Sequence, residues 1–106
     1  MQGPETTEVI IRQDGNGFPF TYRVVYRWTS RTGVSRRAII LARDWCTEQF
    51  GECADIGGSW AKQIRDLGYE TTWYANGCLF DFKEESQAIA FKLRWHGINE
   101  RQLYGV

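Results

Sequence analysis

Tyr69-Glu-Thr-Thr-Trp-Tyr-Ala-Asn-Gly-Cys-Leu-Phe-Asp-Phe82 is the stretch on which the fold turns. Asn76-Gly77 separates two alternating apolar runs, and Asn-Gly readily adopts the two positive φ angles of a type I′ hairpin. A two-residue loop there sets Ala75 opposite Cys78, Trp73 opposite Phe80 and Thr71 opposite Phe82 on one side of a sheet. Thr72, Tyr74, Leu79 and Asp81 then share the other side. The first side carries the large rings and is the expected core face.

Upstream, residues 20–28 alternate in the same way, with Phe20, Tyr22, Val24, Tyr26 and Trp28 on one face and Thr21, Arg23, Val25 and Arg27 on the other. Asp14-Gly15-Asn16-Gly17 forces a turn, and before it Thr7, Val9 and Ile11 alternate with Glu8, Ile10 and Arg12 as a further strand. Ser35 as an N-cap, Ala38, Leu41, Ala42 and Trp45 at helical spacing and Gly51 as a stop predict a helix over 36–50. Gly57-Gly58-Ser59, then Trp60, Ile64 and Leu67 with Gly68 behind them, predict two more helical turns. Glu84 and Glu85 suit a helix N-terminus, and Ala88, Phe91 and Trp95 form the buried stripe of a helix that stops at Gly97. Residues 1–6 are expected as a frayed tail, and 98–106 as a C-terminal tail or an edge strand through Gln102 and Tyr104.

These elements predict one α+β domain over residues 1–106: an antiparallel sheet of four to five strands with two main helices on one face. At a constant offset of fifty residues, Ala38 matches Ala88, Ile39 matches Ile89 and Trp45 matches Trp95. Either each half is a hairpin followed by a helix, or two helices independently solve the problem of covering a sheet with aromatic bulk.

A chain of 106 residues has room for one modest core. Five Trp, five Tyr and six Phe mean that aromatic rings must supply much of its buried area. Thirteen basic and thirteen acidic residues cancel, so no global field draws the chain to nucleic acid or to an anionic membrane. No run approaches the length of a membrane span, and the first residues have neither the basic nor the apolar region of a signal peptide, so the expected location is cytoplasmic. Cys46, Cys53 and Cys78 are odd in number and lie largely within regular apolar patterns, which favours reduced thiols.

The chemistry-bearing residues are few. His96 with the three cysteines has the wrong spacing for zinc, whose ligands come in pairs two to four residues apart. A nucleophile needs a base and a group to orient it, and one histidine at a helix end is a thin supply. Asp44, Glu48, Glu52 and Asp55 fall on the outer face and exit of the first helix, where carboxylates sit in water. The glycines between 51 and 58 lack a phosphate-loop pattern. The expectation is a non-enzymatic protein with no metal and no cofactor.

What remains is a surface. Arg23, Arg27, Tyr74 and Leu79 lie on one open sheet face if the two hairpins share a sheet, and Tyr and Arg are interface-anchoring residues. The expected function is a protein-binding module that occupies a host or viral protein surface, or a second copy of itself. The alternative is a single-stranded nucleic-acid binder using Arg23, Arg27, Arg31, Arg36 and Arg37. Residues 76–82 with the following helix resemble the third strand and second helix of an RNA recognition motif, which implies a ferredoxin-like βαββαβ order. Leu79 and Gly77 stand where that family has its base-stacking aromatics.

Trp45-Cys46, Phe50-Gly51, Phe80-Asp81-Phe82 and Ala88-Ile-Ala-Phe91-Lys-Leu93-Arg94-Trp95 resemble small proteins of tailed bacteriophages, notably those infecting cyanobacteria. There F-x-F, a short acidic link and A-x-x-F-x-L-R-W recur. The resemblance covers roughly residues 45–95. It implies a viral accessory or virion-associated protein and brings no active site with it.

Overall fold

The structure is a computed structural model that describes residues 6–15, 20–30, 33–53 and 72–104. The short helix expected after Gly57, residues 1–5 of the N-terminal tail and Arg31 lie outside the described residues. The elements in chain order are β1 (Thr7–Arg12), β2 (Tyr22–Trp28), α1 (Arg36–Phe50), β3 (Trp73–Asn76), β4 (Leu79–Phe82), α2 (Glu85–Trp95) and α3 (Glu100–Tyr104). The four strands form one antiparallel sheet in the order β1-β2-β4-β3.

The β3–β4 hairpin keeps the expected faces but not the expected register. Trp73 pairs with Phe82, Ala75 with Phe80 and Asn76 with Leu79, so the loop residues are Gly77 and Cys78. Gly77 has φ +60°, and among the described residues no non-glycine residue has positive φ. That is the pattern of a type II′ turn, which places glycine first, and not the type I′ turn that Asn76-Gly77 predicts. Moving the turn by one residue shifts every pairing by two, which preserves the face of each side chain. The Cys78 carbonyl is thereby free to accept from the Tyr26 amide at 3.0 Å and extend the β2–β4 ladder.

The ferredoxin-like order is corrected by the same pairings. That topology needs a split βαβ unit, whereas the described elements run ββα then ββαα with antiparallel neighbours only. β1 pairs with β2 and β3 with β4, so the halves join through β2 and β4, with Val24 opposite Phe80. The equivalent second strands meet antiparallel at the sheet centre, as a two-fold axis there would arrange them. Ala38 and Ala88 are both fully buried. The Trp45 and Trp95 rings meet edge to face, 6.2 Å apart at 88°.

One core lies between the sheet and the helices. Val9, Val24, Tyr26, Trp28, Trp73, Ala75, Phe80 and Phe82 supply its sheet side, and Ala38, Ala42, Cys46, Ala88, Phe91 and Trp95 its helix side. Ser35 caps α1 by accepting from the Ala38 amide at 3.2 Å. The far end of that helix is stapled to β3: the Trp73 indole donates to the Gly51 carbonyl at 2.8 Å and the Thr72 hydroxyl to the Phe50 carbonyl at 3.3 Å.

The C-terminal tail or edge strand expected at 98–106 is also corrected. Asn99 makes an isolated bridge to Thr6, and the chain then turns into α3 with Leu103 buried. The cause is a capping box: the Gln102 amide donates to Asn99 Oδ1 at 2.9 Å and the Asn99 amide to Gln102 Oε1 at 3.0 Å. Asn99→Ala should cost about 1 kcal/mol in a urea melt, with amide exchange accelerated across 100–103. An unchanged melt would show that the cap does not hold this helix.

Candidate functional site

The registers decide which side chains share the sheet face away from the helices. Reading across the strands, one row is Arg12, Arg23, Asp81 and Tyr74, and the next is Ile10, Val25, Leu79 and Asn76. At the far end of β1–β2, Glu8 stands opposite Arg27. Arg23, Arg27, Tyr74 and Leu79 therefore do lie on one face, as their alternation predicts. The face is half-buried at each of these four positions.

Arg23 and Arg27 are each paired with a carboxylate on this face. Arg23 grips Asp81 with two bonds, Nε to Oδ1 at 3.0 Å and Nη2 to Oδ2 at 3.3 Å. The Asp81 side chain is 2% exposed and that of Arg23 is 26% exposed, so the carboxylate is enclosed while the guanidinium rim meets water. Hydrogen bonding to Asp81 holds the Arg23 pKa above the ordinary arginine value, against the opposing effect of burial. Arg27 Nε forms an ion pair with Glu8 Oε1 at 3.1 Å. Between the two pairs runs an apolar stripe of Ile10, Val25 and Leu79.

Of the residues set aside for nucleic acid, the four that are described do not come together. Arg36 and Arg37 are exposed in the first turn of α1, on the helix layer, because Ala38, Ala42 and Cys46 point that helix into the core. Arg23 and Arg27 lie across the sheet from them and each faces a carboxylate. Ile10, Val25, Glu8 and Asp81 also lie on the face; alternation had already placed Val25 and Asp81 there, but none of the four was among the expected binding residues. Ile10 and Val25 were marked by the alternation that exposed Arg23, but their alignment with Leu79 depends on the β2–β4 register.

Cys46 and His96 are both engaged in the structure. Burial pushes the Cys46 thiol above its ordinary pKa, which disfavours the thiolate. His96 Nδ1 accepts from the Val9 amide at 3.0 Å. Among the described residues no three His, Cys, Asp or Glu side chains gather as metal ligands, and no helix is long and apolar enough to cross a membrane. No protein-family model matches the chain, and neither a curated protein nor a solved structure is significantly similar to it.

Proposed function

We propose that the chain is a non-enzymatic protein-binding module that acts through its open sheet face by occupying a host or viral protein surface in the cytoplasm. The observation that carries this reading is the stripe of Ile10, Val25 and Leu79 between two arginine–carboxylate pairs. An apolar centre with a charged rim is the anatomy of a protein interface. Tyr74 adds an amphipathic ring beside the Arg23–Asp81 pair. The likeness of residues 45–95 to tailed-phage proteins supports a viral accessory or virion-associated setting.

Nucleic-acid binding through the same face is the weaker reading, since Arg23 and Arg27 would have to leave carboxylates before neutralising phosphates. The experiment is affinity capture from the producing cell with wild-type chain and Leu79→Asp in parallel. The variant puts a charge in the stripe without touching the core face. It should keep the wild-type circular dichroism spectrum and lose at least nine-tenths of a specifically captured protein, a cost of more than about 1.4 kcal/mol in affinity. Equal capture by both would remove the open face from the interaction.

A further inference from the structure

The helix layer is polarised along its length. Thr7 pairs with Trp28 and is bonded to the strap of residues 96–99 after α2, while the Trp28 amide donates to the Gly33 carbonyl just before α1. The start of α1 and the end of α2 therefore lie at one end of the sheet. At the other end Phe50 meets the Phe82 ring at 5.6 Å, and α2 begins just beyond Phe82. The two helices run antiparallel, and their charges reinforce one another. Arg36, Arg37 and Arg94 are exposed at the Trp28 end; Glu48, Glu52, Glu84 and Glu85 are exposed at the Phe82 end, where Lys83 is half-buried. Arg43, Asp44 and Lys92 lie between, with the signs mixed.

Leu93, Ile40 and Ile89 are the exposed large apolar side chains among the described residues, at 81%, 49% and 43%. Leu93 and Ile89 stand on the outer face of α2, away from Ala88, Phe91 and Trp95 in the core. With Ser86 and Ala90 they occupy positions i, i+3, i+4 and i+7, the outline of a hole that receives a side chain from a facing helix. Fifty residues earlier, Arg43 holds the place of Leu93 and is exposed, so covering the sheet does not call for leucine there. We propose that two copies of the chain dock helix layer on helix layer about a two-fold axis lying across the helices, each Leu93 seated in the hole of Ser86, Ile89, Ala90 and Leu93 on the other α2. Charge selects a second copy as the occupant. Such an axis turns one layer end for end, so the arginine end of each copy faces the glutamate end of the other, whereas an axis along the helices would set like charges together. The proposal goes beyond the protein-binding reading, because it concerns the helix layer and not the open sheet face.

Analytical ultracentrifugation over a micromolar concentration series should take the wild-type chain from its monomer mass of 12.3 kDa toward dimer. The interface is small and of the weak, exchanging kind. Leu93→Arg should weaken the dimer at least tenfold while keeping the wild-type circular dichroism spectrum and urea melt, because it changes an exposed side chain. Glu48→Lys with Glu85→Lys turns the acidic end cationic, and Arg36→Glu with Arg37→Glu turns the basic end anionic. Each double variant alone should associate at least tenfold more weakly than wild type. Their equimolar mixture should recover wild-type association, since each reversed end then meets its opposite. A wild-type chain that stays monomeric at all concentrations, a dimer indifferent to Leu93→Arg, or a mixture no tighter than its components would each overturn the proposal. Leu79→Asp should leave the dimer unchanged, which separates failure of the helix layer from failure of the open face; a dimer lost in that variant would also overturn it.

Discussion

Phe91→Ala should lower unfolding free energy by about 3–5 kcal/mol, the largest loss expected from any single truncation here. Phe91 is fully buried on α2 and is the ring at which the halves of the domain meet. It lies 4.8 Å from Phe80 and 5.8 Å from Phe82 in the second hairpin, 5.6 Å from Tyr26 in the first, and 6.1 Å from Trp45 on α1. Removing it forfeits the transfer energy of one ring and opens a cavity lined by those four and by Trp95, 6.4 Å away. Those rings are fixed from different elements and cannot collapse together. Urea denaturation of wild type and variant measures the effect. A loss below about 1 kcal/mol would mean that the helices are not seated on the sheet as described.

Thr7→Val comes second, at about 2–4 kcal/mol, and for a polar reason. Thr7 is 1% exposed, and its hydroxyl donates to the Trp95 carbonyl while accepting from the Ile98 amide at 3.0 Å. It thus satisfies a carbonyl from the end of α2 and an amide of the strap, groups that the helix cannot satisfy itself. Valine has nearly the same shape, so the loss is that of two buried groups left without partners. Thr7→Ser keeps the hydroxyl and should recover most of the stability. If Thr7→Val melted within about 0.5 kcal/mol of wild type, as a neutral surface change does, the latch between β1 and α2 would be incidental.

The two predictions fall on opposite sides of what the sequence made legible. Phe91 was marked by period alone, since Ala88, Phe91 and Trp95 form a helical stripe, and helix α1 likewise ran between a serine cap and a glycine stop. The faces of both hairpins were legible for a related reason. Alternation assigns each residue to a side of the sheet, and a register slip of two leaves that assignment intact, which is what happened at Gly77-Cys78. Thr7 gave no such signal, because its partners are 88 and 91 residues away. The β2–β4 pairing was equally hidden, and with it both the rejection of a ferredoxin-like order and the meeting of Arg23 with Asp81. Alternation put both Arg23 and Asp81 on the open face but was silent on the register that sets them opposite one another. The helix at α3 was legible in principle, since Asn99 and Gln102 stand at capping-box spacing, but its single turn is too short for a periodic signal.

On the proposed reading, Arg23 and Arg27 of the open face are already committed to Asp81 and Glu8, which leaves the stripe of Ile10, Val25 and Leu79 for a protein partner. Fluorescence anisotropy of a labelled mixed-sequence single-stranded oligonucleotide, titrated at low salt, tests this most directly. The result expected is no binding at micromolar protein. Micromolar binding that falls by powers of ten as salt is raised, and that is lost in an Arg23, Arg27 double-alanine variant which still folds, would contradict it.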